Sequence, residues 1–384
     1  MQKFTTILLS ALTTLAVAQS NQVLNSYNYL KSKEFDKAKA ATDAAAANET
    51  TRSSAKMFLY RGEVYRMIFS DKDENVRKLD PEAEEKSLDA YINCLKIDLK
   101  ENAKDPIYKD QVKGPIVEAV AANNNKARWY ERNKEYDKAM KCYDLVEAAL
   151  PYDFDQSMKR ANVTKEKIMY NKFEMFFFAK DVPKTYEFGD KLIGINYKEP
   201  KVYMFLSQTA LDNKDTAKAL SYIEKGNAMF ENNMDLMTKE INIYLARKKT
   251  DVLKDKLKAA IEATPDNEVL HLVLGTLYKE TKDMAGAEKE YLKAVELRPD
   301  YEPANYNLGV FYYSLGKDWN DKLNNAAPKD PKIKEYETKK DENFKKATEY
   351  LEKSYNVTKD KQTKQVLRQL FLRLNDQAKA DLYK

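Results

Sequence analysis

The stretch from Glu268 to Tyr301 constrains the fold more than any other part of the chain. It reads EVLHLVLGTLYKETKDMAGAEKEYLKAVELRPDY. Two antiparallel helices cross closely only where both present small residues, and Gly275 and Ala287 are placed to form such a crossing. Pro299 cannot continue the second helix, so it marks the end of the unit. Residues at helical spacing would close the inner face of the pair: Leu274, Tyr278, Tyr291 and Ala294.

The unit recurs along the chain at a fixed interval. Steps of 34 residues lead back from Glu268 to Met234, Pro200 and Glu166, and one step forward leads to Glu302. The positions that form the core of the unit keep small or apolar side chains, among them Tyr203, Ala219, Ile223, Tyr244, Leu257 and Ala260. A constant period of this length is the sequence signature of stacked helix pairs that bury a continuous core.

These offsets resemble those of the tetratricopeptide repeat, in which a Leu-Gly pair, a Tyr, a small residue and a closing Pro fall at the same places. The resemblance implies a protein-binding scaffold. We therefore predict an all-α, tetratricopeptide-repeat superhelical solenoid of about eight helix-turn-helix repeats. A C-terminal capping helix and a projecting helical hairpin insertion complete the predicted fold.

Residues 1–18, MQKFTTILLSALTTLAVA, have the features of a secretory signal peptide. A lysine precedes a short apolar run, and the run ends in the small-residue pattern AVA. We expect cleavage before Gln19, where the spacing of Tyr29 and Ala38 also places the start of the first repeat. An uncleaved N-terminal anchor remains the alternative. The style of the signal favours an exported bacterial protein, in the periplasm or associated with the outer membrane.

Beyond the signal, breaks in the period divide the chain. The predicted segments are N-terminal repeats with a polar insertion (19–99), a connector (100–115), regular repeats (116–301), a repeat with an inserted hairpin (302–361) and a capping helix (362–384). The connector holds Asp105-Pro106 and Gly114-Pro115, which are helix breakers, so we expect a hinge there. No later stretch is apolar for about 18 residues, so no transmembrane segment is expected after signal cleavage.

The repeat that begins at Glu302 contains an insertion at its turn. Gly309 and Ala347 are 38 positions apart, against 12 for Gly275 and Ala287, which leaves about 26 inserted residues. We expect both helices to extend and to join near Pro328, with the added hairpin at about 317–341. Since the repeat core does not need this hairpin, we expect it to contact a partner or a second copy of the chain. The expected anchors are Trp319 and Tyr336.

The residue inventory argues against catalysis. His271 is the only histidine, and its position faces the partner helix, so a structural role is favoured. With Cys94 and Cys142 as the only cysteines, a zinc cluster cannot be assembled in the usual way, and we expect two buried free thiols. A disulfide between them stays open. Secreted lytic transglycosylases carry a catalytic Glu-Ser pair, which the chain lacks. We expect no enzyme activity and no cofactor. The near-balance of 66 basic and 61 acidic residues offers no footprint for nucleic acid.

In the tetratricopeptide family, five positions of each first helix line a concave groove. Carried onto this chain, the resemblance implies these groove residues: Lys201, Met204, Gln208, Leu211 and Asp212; Asp235, Thr238, Asn242 and Leu245; Val269, Leu272, Thr276, Lys279 and Glu280; Tyr306, Val310 and Tyr313. Apolar groups mixed with amides and hydroxyls suit an extended peptide or protein partner. The alternative is a glycan-binding accessory of an outer-membrane uptake system, which exposed and coplanar Tyr306 and Tyr313 would favour.

Overall fold

A computed structural model describes residues 22–384, and within that range the regular structure is helical, with no strand. The predicted signal peptide (1–18) and the predicted first residue of the mature chain, Gln19, lie outside the described residues. The chain divides into two compact units, with the boundary between Lys198 and Glu199. No helix in the described range is long and apolar enough to cross a membrane.

The first unit contains ten α-helices over its described residues. They are α1 (helical over 22–31), α2 (Phe35–Ala47), α3 (Ala55–Ser70), α4 (Glu74–Arg77), α5 (Ala83–Glu101), α6 (Lys109–Arg132), α7 (Tyr136–Ala149), α8 (Ser157–Arg160), α9 (Lys165–Ala179) and α10 (Val182–Gly194). A short 3₁₀ turn, Leu150–Tyr152, follows α7. Helices α3 and α5 form one packed pair, α6 and α7 the next, and α9 and α10 a third.

The second unit is more regular. It contains α11 (Pro200–Asp212), α12 (Thr216–Met229), α13 (Met234–Ala246), α14 (Thr250–Ala263), α15 (Glu268–Glu280), α16 (Met284–Leu297), α17 (Glu302–Asn324), α18 (Ile333–Thr358), α19 (Lys361–Arg373) and α20 (Gln377–Leu382). The first helices of four successive pairs thus begin at Pro200, Met234, Glu268 and Glu302, in the 34-residue steps of the sequence.

Packing in the second unit follows chain order. Each helix from α11 to α20 contacts the next one, and α11, α13, α15 and α17 also contact one another in succession. Small side chains lie at the centre of three of the four pairs: Ala219, Ala287, Ala294 and Ala347 are fully buried, whereas α14 buries Leu253 and Leu257. The result is an array in which every first helix packs on its own second helix and on the first helices beside it, as expected of stacked repeats.

The connector predicted at 100–115 is mostly helical. Helix α6 begins at Lys109 and includes Gly114 and Pro115, so only residues 102–108 form a loop. Pro115 lies inside α6, where a proline removes one backbone hydrogen bond. Buried Asp98 holds the loop, because its carboxylate accepts hydrogen bonds from the backbone N–H groups of Ile107 (3.1 Å) and Tyr108 (2.7 Å).

The C-terminal segment, predicted as one capping helix, forms two. Helix α19 packs on α18, and the short α20 packs on α19. Asn375 adopts a left-handed backbone conformation with φ of 58°, which ends α19. Asp376 then caps α20 by accepting a hydrogen bond from the backbone N–H of Lys379 at 3.0 Å.

The predicted hairpin is present as extensions of α17 and α18. These helices have 23 and 26 residues, against 13 and 14 for α15 and α16. Residues 325–332 join them, around Pro328. Near the base of the extension, Gly316 lies directly against the ring of Phe344, which lets the two helices approach closely.

Candidate functional site

The predicted groove residues lie on α11, α13, α15 and α17, which are neighbours in the second unit. Seven of them are exposed, with Tyr306 at 37%: Lys201, Asp212, Asp235, Thr238, Asn242, Glu280 and Tyr306. Eight more are half-buried: Met204, Gln208, Leu211, Leu245, Thr276, Lys279, Val310 and Tyr313. We call these fifteen residues the first-helix face. Consecutive helices therefore bring polar and apolar side chains to positions that a ligand could reach.

Two predicted groove residues are not accessible. Leu272 is fully buried and Val269 is 5% exposed, so both belong to the core. Helix α15 is apolar on almost every side, and eight of its 13 residues are buried, against five in α13. The prediction that Leu272 contributes to the groove is therefore wrong.

Lys239 is a member of this region that the family positions do not include. Its ammonium donates a hydrogen bond from α13 to the side-chain oxygen of Gln208 on α11. Burial lowers the pKa of Lys239, and the field of Asp212 opposes that effect only in part. No carboxylate lies within ion-pair distance of this ammonium among the residues that the structure describes. In the sequence, only its place next to Thr238 associates Lys239 with this region.

Other polar groups of the first-helix face are already used inside the protein. The side-chain amide of Gln208 donates to Asp212 at 2.7 Å. The hydroxyl of Thr276 donates to the carbonyl of Leu272 at 2.9 Å and accepts from the hydroxyl of Tyr291 at 3.2 Å. The groups with most capacity left for a ligand are consequently those of α13.

The two predicted groove tyrosines of α17 differ in environment. Tyr306 is exposed, whereas Tyr313 is half-buried with its ring against Phe344, the centroids 6.1 Å apart and the planes at 34°. The ring of Tyr313 is therefore partly engaged within its own unit.

The predicted anchors of the hairpin contact each other. The rings of Trp319 and Tyr336 stack across the hairpin, with centroids 6.0 Å apart and planes at 29°. The ammonium groups of Lys322 and Lys339 lie 3.8 Å and 4.5 Å from the centre of the Trp319 ring. Both aromatic residues are half-buried. Their first role is thus to join the two extended helices.

His271 has two partners inside its repeat. Its Nδ1 lies 2.7 Å from a carboxylate oxygen of Glu290, and its Nε2 lies 3.1 Å from the carbonyl of Pro265. One repeat later, Asn305 occupies the equivalent position and donates to the carbonyl of Pro299 at 2.9 Å. A polar side chain here satisfies the carbonyl of the proline that ends the preceding repeat, which explains His271 without catalysis.

Neither cysteine is positioned for chemistry. Cys94 and Cys142 are both free and fully buried. Burial raises the pKa of each thiol to about 12, so the reactive thiolate is scarce at neutral pH. Within residues 22–384, no group of three or more histidine, cysteine, aspartate or glutamate side chains could hold a metal ion.

Comparison with known proteins identifies one repeat directly. Residues 270–301, which comprise most of α15 and all of α16, match the family model described as Tetratricopeptide repeat. The chain therefore carries a tetratricopeptide repeat within an all-α array of helical repeats. No curated protein matches the sequence significantly.

Several solved structures are similar to the chain at low identity. A crystal structure of MamA protein is 17% identical, covering 48% of this chain and 87% of its own, with a TM-score of 0.31. A TPR repeats protein from Bacteroides fragilis is 19% identical, covering 66% and 98%, with a TM-score of 0.28. The human IFIT1 dimer with m7Gppp-AAAA is 12% identical, covering 86% and 72%, with a TM-score of 0.38. These TM-scores are too low to support a conclusion about function.

Proposed function

We propose that this protein is a non-catalytic scaffold that binds an extended peptide or protein segment at the first-helix face. Lys239 carries the proposal. Its half-buried ammonium has three donors, and its one side-chain hydrogen bond goes to the neutral amide of Gln208. The remaining donors suit the backbone carbonyls or a carboxylate of an extended chain. Exposed Thr238 and Asn242, on the same helix, add a hydroxyl and an amide.

The predicted export of the protein favours a partner from the same compartment. The features of residues 1–18 are those of a secretory signal, so we place the protein in a bacterial cell envelope, where the partner would be another envelope protein. N-terminal sequencing of envelope material should find Gln19 as the first residue. A cytosolic protein that retains Met1 would contradict this placement. A glycan partner is less favoured, because Tyr313 is only half-exposed and engages Phe344.

Site-specific photocrosslinking tests the proposed binding face. The residue p-benzoylphenylalanine replaces Thr238 in one variant and Lys289 in a control, since both are exposed but Lys289 lies on the second helix α16 and does not belong to the first-helix face. Irradiation of cell envelopes should give a discrete crosslinked partner at position 238 only. Adding Lys239→Met to the first variant should weaken that crosslink. Equal crosslinking at both positions, or none at 238, would contradict the proposal.

A further inference from the structure

The first unit contains a cavity between an inserted segment and the helix pair that follows it. Its volume is about 670 Å³, within the range of ligand pockets. One wall comes from the segment between α3 and α5, which includes α4 and Pro81, and the other comes from α6. In the second unit, three residues separate the two helices of a regular pair, as in residues 281–283 between α15 and α16. The longer segment between α3 and α5 therefore supplies part of the wall of this cavity.

Trp129 lies at the edge of this cavity with 53% of its surface exposed. Its ring makes an edge contact with Tyr130, at 5.2 Å between centroids and 67° between planes. Phe69 and Pro81 line the same space. An exposed tryptophan beside other apolar walls gains substantial free energy when a ligand covers it, because aromatic side chains offer large apolar areas.

Most of the charged groups that line the cavity are neutralised within the protein. The ammonium of Lys126 lies 2.8 Å from Glu84 and 2.6 Å from Glu85. Burial opposes its charge, but these hydrogen bonds outweigh burial and raise the pKa of Lys126. Buried Asp80 is paired with Lys86 at 2.7 Å. These groups hold the walls in place and have little capacity left for a ligand.

Lys138 and Glu135, at the start of α7, also line the cavity and form an ion pair with each other. They add one positive and one negative charge that cancel at the rim. The electrostatic preference of the cavity must therefore come from whichever charged group has no such partner.

Two polar side chains of the cavity still have hydrogen-bonding capacity for a ligand. Arg77 donates through one guanidinium nitrogen to the carbonyls of Asp71 (2.6 Å) and Lys72 (2.9 Å), and no carboxylate pairs with it among the described residues. Asn125 lines the cavity and is exposed, so its side-chain amide can reach a ligand. The cavity thus combines apolar walls, one cation with donors to spare and one amide.

We propose that this cavity binds a short segment of a partner polypeptide in which an apolar side chain lies beside a carboxylate. The apolar side chain packs against Trp129, Phe69 and Pro81, and the carboxylate accepts hydrogen bonds from Arg77. The amide of Asn125 pairs with the backbone of the segment. A sugar is disfavoured, because its several hydroxyls need more free polar partners than these two side chains provide. The site lies in the first unit and does not depend on the first-helix face.

The experiment uses Trp129 as its own reporter. The chain has two tryptophans, so Trp319→Phe leaves Trp129 as the only one. The probe is the peptide acetyl-Glu-Leu-Glu-Leu-amide, and the charge-reversed control is acetyl-Lys-Leu-Lys-Leu-amide. The acidic peptide should give a saturable shift in tryptophan emission and the basic peptide none. Equal responses to both peptides, or no response to the acidic one, would overturn the proposal. A response to tetragalacturonate alone would assign the site to acidic sugars and overturn it as well.

Two variants locate the binding. Arg77→Gln should weaken the acidic peptide about tenfold, the loss of one charge-assisted interaction. Its matched control is Arg160→Gln, because Arg160 is also exposed and also donates to a backbone carbonyl, that of Asp155 at 2.6 Å. Trp129→Ala, followed by calorimetry, should abolish binding and leave the helical circular dichroism unchanged. Unaltered affinity in either cavity variant would place the peptide elsewhere.

Discussion

Gly275 and Tyr291 lie so close together that the first helix of the repeat has no room for a side chain. A Cβ atom on Gly275 would be 2.7 Å from Cδ1 of the Tyr291 ring. The sequence suggested Ala287 as the residue that faces this glycine, but the nearest atoms belong to Tyr291, one helical turn later. Gly62 and Tyr91 repeat the arrangement in the first unit, at 2.6 Å.

The hydroxyl of each tyrosine also donates a hydrogen bond to the first helix. Tyr291 donates to Thr276 at 3.2 Å, and Tyr91 donates to Glu63 at 2.8 Å. In both repeats the acceptor is the residue that directly follows the glycine. The glycine thus provides space for the ring, and its neighbour satisfies the phenol, which fixes the crossing of the two helices.

The first prediction is that Gly275→Ala destabilises the protein, although alanine is the better helix former. Overlap with the Tyr291 ring must be relieved by shifts in a packed core, which costs roughly 1–3 kcal/mol. Urea denaturation measures the change. Gly194→Ala is the control, because a Cβ at Gly194 meets nothing within 4 Å, and it should be neutral or slightly stabilising. Equal effects of the two substitutions would contradict this account of the crossing.

A second prediction concerns acid stability and buried Asp80. Burial opposes the charge of this carboxylate, but Lys86, the backbone N–H of Glu82 and Lys39 outweigh it and lower its pKa below the ordinary 3.8. Its stabilising effect is therefore complete above pH 3.8 and is lost as the pH falls through the lower folded-state pKa. Asp80→Asn should cost about 1–3 kcal/mol at pH 7, because charged hydrogen bonds are lost.

The pH dependence of this loss of stability shows whether it comes from the charge of Asp80 or from the shape of its side chain. Denaturation curves between neutral pH and pH 2 should show the difference between wild type and Asp80→Asn shrinking below pH 4. Asp105→Asn is the control, since Asp105 is exposed and has no ion pair among the described residues, and it should change little. A difference that stays constant down to low pH would show that ionisation of Asp80 is not responsible.

The sequence predicts the repeat register well because the register depends on local spacing. The first helices begin at Pro200, Met234, Glu268 and Glu302, since each step places the same small and apolar residues at the same crossing. The exposure of a side chain depends instead on how its own helix is packed. Leu272 occupies a groove position of the family and is nevertheless core, like most residues of the apolar helix α15.

Sites made by insertions were harder to predict. The segment between α3 and α5 looked only polar in sequence, yet it forms a wall opposite Trp129. The cavity brings together residues about fifty positions apart, and no periodic pattern relates them. Lys239 was missed for a similar reason, because its importance depends on Gln208 of the preceding repeat. Periodicity indicates what a helix buries against its partner, and irregular contacts between repeats require the coordinates.

A third prediction tests the state of the cysteines. Because burial raises the pKa of Cys94 and Cys142 to about 12, neither thiol should react with Ellman's reagent in the native protein at pH 8. In urea without reductant, both should react rapidly. If neither cysteine reacts with the reagent in urea, the two form a disulfide, which would contradict the free cysteines of the structure. Rapid labelling of the native protein would instead show that their surroundings open readily.

The last prediction concerns the hairpin. Removing residues 317–341 and joining the ends with a short glycine-serine turn should leave the protein folded. The contacts of Trp319 with Tyr336, and of Lys339 with Glu335, lie wholly inside this segment. Shortening also removes the entropic cost of ordering about 25 residues. The thermal midpoint should therefore stay within a few degrees of wild type, as circular dichroism can measure.

We propose that the hairpin has a function in association, and the shortened protein should lose a partner or a second copy that the full chain retains. Pull-down from cell envelopes and sedimentation of the purified protein measure these two losses separately. Trp319→Ala in the full-length hairpin is the companion variant, because it removes the ring on which Tyr336 stacks while keeping both helices. If this ring only joins the helices, Trp319→Ala weakens association less than the deletion does. A shortened protein that does not fold would make the hairpin structural, and one that keeps every association would make it a spacer.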